Sequence, residues 1–200
     1  MAEHYFSKEP TSSLRRYRIE TKIRGFHLVF ITASGVFSPR RIDKGTLLLA
    51  ESMVIEKGWR VLDLGAGYGV LGIVAAKVAD KGYVIMTEIN RRAAMLARLN
   101  IKLNNLINCE VREGNLYEPV KHEKFNTIIS NPPQSAGLKV CFKIISEAPC
   151  HLLRGGILQL VARHNKGGRR LMNEMEKVFG NVDVTASKWG YRVYISRLNS

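Results

Sequence analysis

Cysteine, histidine clusters and long apolar runs are all scarce in this chain. Three cysteines occur in 200 residues, Cys109, Cys141 and Cys150. The number is odd and no two stand as a CxxC pair. That argues against a disulfide framework or a structural zinc site and fits a reducing compartment. The five histidines show no ligand spacing. Cys150 and His151 are neighbours, but they sit in a periodic apolar segment without a partner base, so no nucleophilic pair is expected there. No apolar run approaches the ~20 residues that span a bilayer. The opening stretch MAEHYFSKEPTSS lacks the apolar segment of a secretory signal. These absences together predict an intracellular, cytoplasmic protein with no metal and no membrane partner.

Acidic residues are also few. Asp and Glu total 17 against 31 Lys and Arg, giving a net charge of +14 and a pI near 10.0. A charge of that size speaks about partners rather than fold. RNA or DNA is the natural polyanion. The plainer account is a lysine-rich solvated surface of a heat-adapted protein. An anionic membrane fits less well, because no basic amphipathic helix stands out. Two groups of cations are candidates for a nucleic-acid face: Arg15, Arg16, Arg18, Arg24, Arg40 and Arg41 early in the chain, and Lys166, Arg169 and Arg170 later.

What is present is ordered alternation. LRRYRIETKIR and FHLVFITASGVFS alternate apolar and charged residues with the period of strands, and Gly25 between them predicts a hairpin. From about Gly45 onward, helical stripes and short buried strands take turns. TLLLAESMV reads as a helix closed by Gly58, RVLDLG as a strand, VLGIVAAKVAD as a helix, and YVIMTEI as a strand. RRAAMLARLNIKLN is helical, CEVREGN and FNTIIS are strands, and LKVCFKIISEAPCHLL is helical with Pro149 near its end. GILQLVARH is a strand and GRRLMNEMEKVFG a helix. Two last runs meet at Trp189-Gly190, too close for a crossover helix, so they must be antiparallel. This pattern predicts an α/β, Rossmann-like fold: a mostly parallel seven-stranded sheet with an antiparallel last strand and helices on both faces. The length suggests a single domain spanning 1–200, with a hairpin extension over 1–40 and the core over 41–200.

Two motifs carry chemistry. VLDLGAGYGVLG is a buried strand, a turn with Gly65, Gly67 and Gly69, and a helix. Such a turn lies at the carboxyl edge of a doubly wound sheet, where nucleotides bind. Glu88 ends the next strand and can accept hydrogen bonds from ribose hydroxyls. The same residues satisfy a dinucleotide fingerprint, Gly67-Tyr68-Gly69-Val70-Leu71-Gly72 with an acid about 20 residues on, so an NAD-dependent dehydrogenase must be weighed. Asp63 before the first glycine favours instead a cofactor with a cationic amine and no pyrophosphate. The second motif is Ser130-Asn131-Pro132-Pro133 at the end of an apolar strand. Two adjacent prolines have no N–H to continue a ladder, so this is either a stiff turn or a device that fixes an amide and bare carbonyls toward a ligand.

Together DLGAGYG, Glu88 and SNPP resemble the class I S-adenosylmethionine (SAM) methyltransferases that act on amino nitrogens. HYFSKEP, SGVFS, DKGT and GYRV extend the likeness over nearly the whole chain, to the small-subunit ribosomal RNA guanine-N2 methyltransferase family (RsmC-like), in an archaeal member. The resemblance implies a SAM site made of Lys44, Gly45, Thr46, Asp63, Gly65, Ala66, Gly67, Gly69, Glu88, Ile89, Gly114, Asn115 and Asn131. In it Asp63 lies near the amino group, Glu88 on the ribose, Gly114-Asn115 beside the adenine, and Lys44-Gly45-Thr46 toward the methionine end. Many relatives carry Asp where this chain has Asn115. Asn131, Pro132 and Pro133 would hold the target amine. Gln134 follows where adenine- and glutamine-modifying relatives carry an aromatic, which tilts the expectation toward guanine. Tyr68 or Phe37 could supply a stacking ring instead. RNA contacts would come from Arg40, Arg41, Lys166, Arg169 and Arg170, with ribosomal RNA or a ribosomal subunit as partner and a monomer or homodimer as the working form. Methylation of adenine N6 or of a protein glutamine is the alternative enzyme reading. A non-catalytic RNA-binding assembly factor is the alternative of another class.

Overall fold

A computed structural model describes residues 13–133 and 137–199. It contains nine strands and five α-helices among those residues. Strands β1 (Arg16–Ile23) and β2 (Phe26–Ala33) form the predicted hairpin. Next come α1 (Lys44–Ser52), β3 (Arg60–Leu64), α2 (Val70–Val78), β4 (Tyr83–Glu88), α3 (Arg91–Leu103), β5 (Cys109–Glu113) and β6 (Phe125–Ser130). The chain continues through α4 (Leu138–His151), β7 (Leu152–Arg163), α5 (Arg169–Phe179), β8 (Asp183–Lys188) and β9 (Tyr191–Arg197).

Seven strands form one sheet in the order β5-β4-β3-β6-β7-β9-β8. Pairings from β5 through β7 are parallel. The last strand, β9, runs antiparallel to both β7 and β8, as the short connection required. β3 has β4 on one side and β6 on the other, so the strand order reverses there. The crevice at the carboxyl ends of β3, β4 and β6 is where an open α/β sheet places a ligand.

Central strands are apolar throughout because both faces are covered. Val61, Leu62, Val84, Ile85, Ile128, Ile129, Leu158 and Leu160 are all essentially inaccessible. Helices α1 to α3 pack on one face and α4 and α5 on the other. In α5 the residues Leu171, Met175 and Phe179 recur every four positions and are buried, while Arg169, Arg170 and Lys177 face out. Each such burial contributes about 1.5–3 kcal/mol.

The hairpin is held by polar side chains as well as by apolar contact. Asn100 and Asn104 on α3 are buried. Each accepts from and donates to the free edge of β2: Asn100 pairs with the N–H and C=O of Ile31, and Asn104 with those of Val29. An otherwise exposed strand edge is thereby closed.

Helix α1 begins two residues earlier than its apolar stripe predicts and ends at Ser52, well before Gly58. The early start follows from Asp43. Its carboxylate accepts from the N–H groups of Gly45 (2.8 Å) and Thr46 (3.1 Å), a cap that satisfies donors the helix leaves unpaired. Among the described residues no helix is long and apolar enough to cross a membrane, and no cluster of His, Cys, Asp and Glu could hold a metal ion. Cys150 is exposed, whereas the buried His151 stacks on Tyr117 at 4.4 Å and reaches the Glu123 carbonyl. The two point apart and make no nucleophilic pair.

Candidate active site

A cavity of about 470 Å³ opens at the carboxyl ends of β3, β4 and β6. Its size falls in the range of small-molecule sites, roughly 300–1,000 Å³. Three sequence segments meet in it: the glycine turn after β3, the acidic end of β4, and Asn131-Pro132-Pro133 after β6.

The glycine turn owes its shape to backbone that only glycine adopts easily. Gly65 and Gly67 have φ of +69° and +58°, and a Cβ added to either would meet nothing within 4 Å. The turn is therefore an open cradle on its cavity side. The N–H groups of Gly65 and Ala66 donate to the Thr87 carbonyl, tying the turn to the end of β4. Gly67 N–H donates to Glu88 Oε2 at 2.7 Å, and Asn90 N–H to Glu88 Oε1 at 2.8 Å. With about four acceptor sites on its two oxygens and three backbone N–H groups (Asn90, Gly67 and Ile89) bonded to it, the carboxylate keeps acceptor capacity for a ligand hydroxyl. Burial pushes the Glu88 carboxyl above its usual range, against the pull of the Asn90 and Gly67 N–H groups.

Asn131 stands at the junction of the cavity with α1. Its Nδ2 donates to Asp43 Oδ2 (3.1 Å) and Thr46 Oγ1 (2.9 Å). Both N–H bonds are committed, and a carboxylate can only accept. The amide orientation is thus dictated, and among the described residues no hydrogen bond engages Asn131 Oδ1, in a residue that lines the cavity. Asp43 Oδ1 accepts in turn from Tyr191 Oη at 3.3 Å. Asp43 and Tyr191 both line the cavity. Neither was singled out in the sequence. DKGT and GYRV contain them, but the available signals were only an N-cap acid before Lys44 and an aromatic after a turn glycine.

Thr46, Gly65, Ala66, Gly67, Glu88, Ile89, Gly114, Asn115, Asn131, Pro132 and Pro133 line the cavity as expected. Four residues of the implied cofactor set do not. Lys44 points its amine toward the Trp189 ring, 5.8 Å from the centroid. Gly45 lies against Tyr191, whose ring would stand 2.7 Å from an added Cβ. Gly69, with φ +95°, lets α2 approach α3, since its Cβ would meet Ala97 at 3.2 Å. Asp63 is fully buried, beneath the turn rather than at the cavity wall, and its Oδ2 accepts from Gly72 N–H at 2.8 Å. It holds the start of α2 to β3. Of the two candidate stacking rings, Tyr68 is nearly buried and meets Phe30 edge-on, while Phe37 is 36% exposed at the rim. Gln134 lies outside the described residues.

The candidate RNA cations are dispersed. Arg40 lies over Tyr17 at 5.7 Å and Arg41 is exposed. Arg18 pairs with Glu20, and Arg24 donates to the Met53 carbonyl. Lys166, Arg169 and Arg170 line a second concavity beside the turn His164–Gly168, together with His164 and Leu138.

Asp63 gives the fold a pH dependence. Burial pushes its carboxyl up to about 7, with Gly72 N–H opposing and the Glu88 charge adding to the rise. The folded chain then binds this proton more tightly than the unfolded chain. The contribution of the neutral carboxyl is complete below the unfolded value and is lost as pH rises toward 7. Each such proton contributes a slope of at most about 1.4 kcal/mol per pH unit. Asp63→Asn is expected to remove that fall between about pH 4 and 7, read as a flatter plot of urea-unfolding free energy against pH than wild type gives. An unchanged slope would show that Asp63 ionises normally.

Comparison with known proteins agrees with this geometry. A profile of the methyltransferase small domain family matches residues 27–195. The uncharacterized protein YbxB of Bacillus subtilis is 31% identical over 96% of this chain and 97% of its own length. Ribosomal RNA small subunit methyltransferase C of Hamiltonella defensa is 34% identical over 94% of this chain but 54% of its own length. The structure of T. thermophilus 16S rRNA N2 G1207 methyltransferase (RsmC), in complex with AdoMet and guanosine, superposes with a TM-score of 0.80. It is 24% identical and is covered over 52% of its length, against 94% of this chain. The chain thus spans nearly all of the Bacillus relative and about half of the ribosomal RNA methyltransferases. These relatives are bacterial, so the expected archaeal affiliation gains no support. Given a profile match across most of the chain and a Bacillus relative aligned over nearly its whole length, this protein belongs to the methyltransferase small domain family.

Proposed function

We propose that the chain is a SAM-dependent RNA methyltransferase that modifies the exocyclic amine of guanine, N2, in small-subunit ribosomal RNA. The observation that carries this reading is the Asn131 amide. Its N–H groups are spent on Asp43 and Thr46, which leaves its oxygen available, and the residue lines the same cavity as the glycine turn and Glu88.

The residues present fit the cofactor. Gly65 and Gly67 form a cradle that no protein atom within 4 Å of their Cβ positions fills, and the Glu88 carboxylate retains acceptor capacity for ribose hydroxyls. Gly114 and Asn115 lie on the cavity wall after β5, where they would hold the adenine. When bound, SAM supplies an electrophilic methyl group on its sulfonium sulfur.

The protein's own part is placement. An exocyclic amine is a weak nucleophile because its lone pair delocalises into the ring. Asn131 Oδ1 and the Pro132 carbonyl accept from its N–H groups and favour a more tetrahedral nitrogen. Two prolines stiffen the loop, so the amine is held at a near-attack position without further loss of entropy. No strong base is required, since the methylated nitrogen sheds its proton after transfer. We read residues 41–200 as the catalytic core and the hairpin segment as its extension. The net charge of +14 favours a polyanionic substrate and so supports RNA over a protein glutamine.

Incubation with methyl-labelled SAM, small-subunit ribosomal RNA and ribosomal proteins tests the acceptor. Label is expected in the RNA fraction. Label confined to protein would replace this reading with the glutamine one.

A further inference from the structure

We infer that Trp189 is a stacking platform for an unpaired nucleotide next to the target base, so that the RNA enters the site as a single strand along a strip of cations around this ring. The inference rests on the proposed RNA substrate.

Trp189 occupies the first position of a two-residue turn between β8 and β9, since Lys188 pairs directly with Tyr191. Its φ is +54° and that of Gly190 is +78°. Turns of this type prefer Asn-Gly or Gly-Gly, and a bulky aromatic in the left-handed region is unfavourable. The ring is nonetheless 44% exposed, so core packing does not account for most of it.

Its surroundings are cationic. Lys188 Nζ lies 4.5 Å and Lys44 Nζ 5.8 Å from the ring centroid. Arg163 covers the neighbouring Tyr191 ring at 5.4 Å. The turn is also joined to the second basic concavity, because His164 N–H donates to the Gly190 carbonyl at 3.1 Å. Lys166, Arg169 and Arg170 follow from there. Among the described residues the ion pairs lie elsewhere, and none engages these cations. A strip of uncompensated charge with an exposed indole in its middle matches single-stranded nucleic acid, which needs phosphate contacts and a flat ring together.

The strip reaches the reaction centre. Tyr191 lines the cavity and lies two residues from Trp189, so their Cα atoms are no more than about 7.6 Å apart. Lys44 precedes Gly45 on α1, whose cap Asp43 holds Asn131. A base on Trp189 would displace a lysine from the ring. That exchange is favourable: an exposed cation–π contact contributes roughly two- to fivefold, and base stacking roughly fivefold to over a hundredfold. The displaced ammonium is then free to meet a phosphate.

Trp189→Asn separates this role from a structural one, because Asn suits the turn. We expect its thermal midpoint to equal or exceed that of wild type. Its affinity for a short fluorescein-labelled single-stranded RNA containing one guanine should fall at least roughly fivefold. Trp189→Phe should retain part of the affinity. Lys44→Gln with Lys188→Gln should lower the slope of log affinity against log salt by roughly 0.7 for each phosphate no longer neutralised. Full affinity and unchanged KM for RNA in Trp189→Asn, with wild type forming methylguanosine, would overturn the platform alone. Wild-type protein that neither binds the RNA nor methylates it would overturn the functional reading and the platform with it.

Discussion

Asn131→Ala is expected to slow methyl transfer on the order of a hundredfold or more while leaving SAM affinity close to that of wild type. In the proposed reaction the amide oxygen is the acceptor that places the target amine, and misplacement by about 1 Å costs roughly that factor. The hydrogen bonds to Asp43 and Thr46 that the substitution removes fall on the α1 side, away from the glycine turn and Glu88. Single-turnover rates with saturating RNA, set beside calorimetric SAM affinity, separate the two effects. An unchanged rate would remove Asn131 from the reaction. A collapse of SAM affinity with the intrinsic rate preserved would make it a cofactor ligand only.

The second large effect is expected at Glu88. On the proposed reading, Glu88→Ala removes two charge-assisted acceptors for ribose hydroxyls, each contributing about 1.5–3 kcal/mol. It also releases Gly67 N–H and Asn90 N–H from their bonds, so the glycine turn is held less firmly to β4. SAM affinity should fall at least on the order of a hundredfold, since each 1.4 kcal/mol is about tenfold. Glu88→Gln, which retains one acceptor and one donor, should fall between the two. Calorimetry with SAM, alongside NAD, reads this directly, and a thermal scan checks that the variants are folded. Wild-type binding of NAD and not of SAM would return the chain to the dehydrogenase reading.

That both residues reach the cavity was legible in the sequence, and the reason is locality. The glycine turn, Glu88 and Asn131-Pro132-Pro133 each follow a short apolar strand, so strand ends could be placed from hydrophobic runs and turn residues alone. A doubly wound sheet then brings three carboxyl ends to one crevice. What escaped depends on partners distant in sequence. Asp43 meets Asn131 from 88 residues away and Tyr191 from 148, and no local pattern marks such a pair. Lys44 and Gly45 adjoin Thr46 in sequence, yet a helix turns successive residues about 100° apart, so Thr46 lines the cavity and they do not. Asp63 misled for a related reason. An acid before a glycine turn reads as a ligand, but β3 is buried on both faces, and the carboxyl is used to hold Gly72.

The identity of the methylated nucleoside tests the central claim most directly. Purified protein would be incubated with small-subunit ribosomal RNA and methyl-labelled SAM, and the RNA digested to nucleosides for mass spectrometry. On the proposed reading Asn131 Oδ1 and the Pro132 carbonyl accept from the guanine amine, so label is expected in N2-methylguanosine. Label in N6-methyladenosine, with none in N2-methylguanosine, would contradict the account.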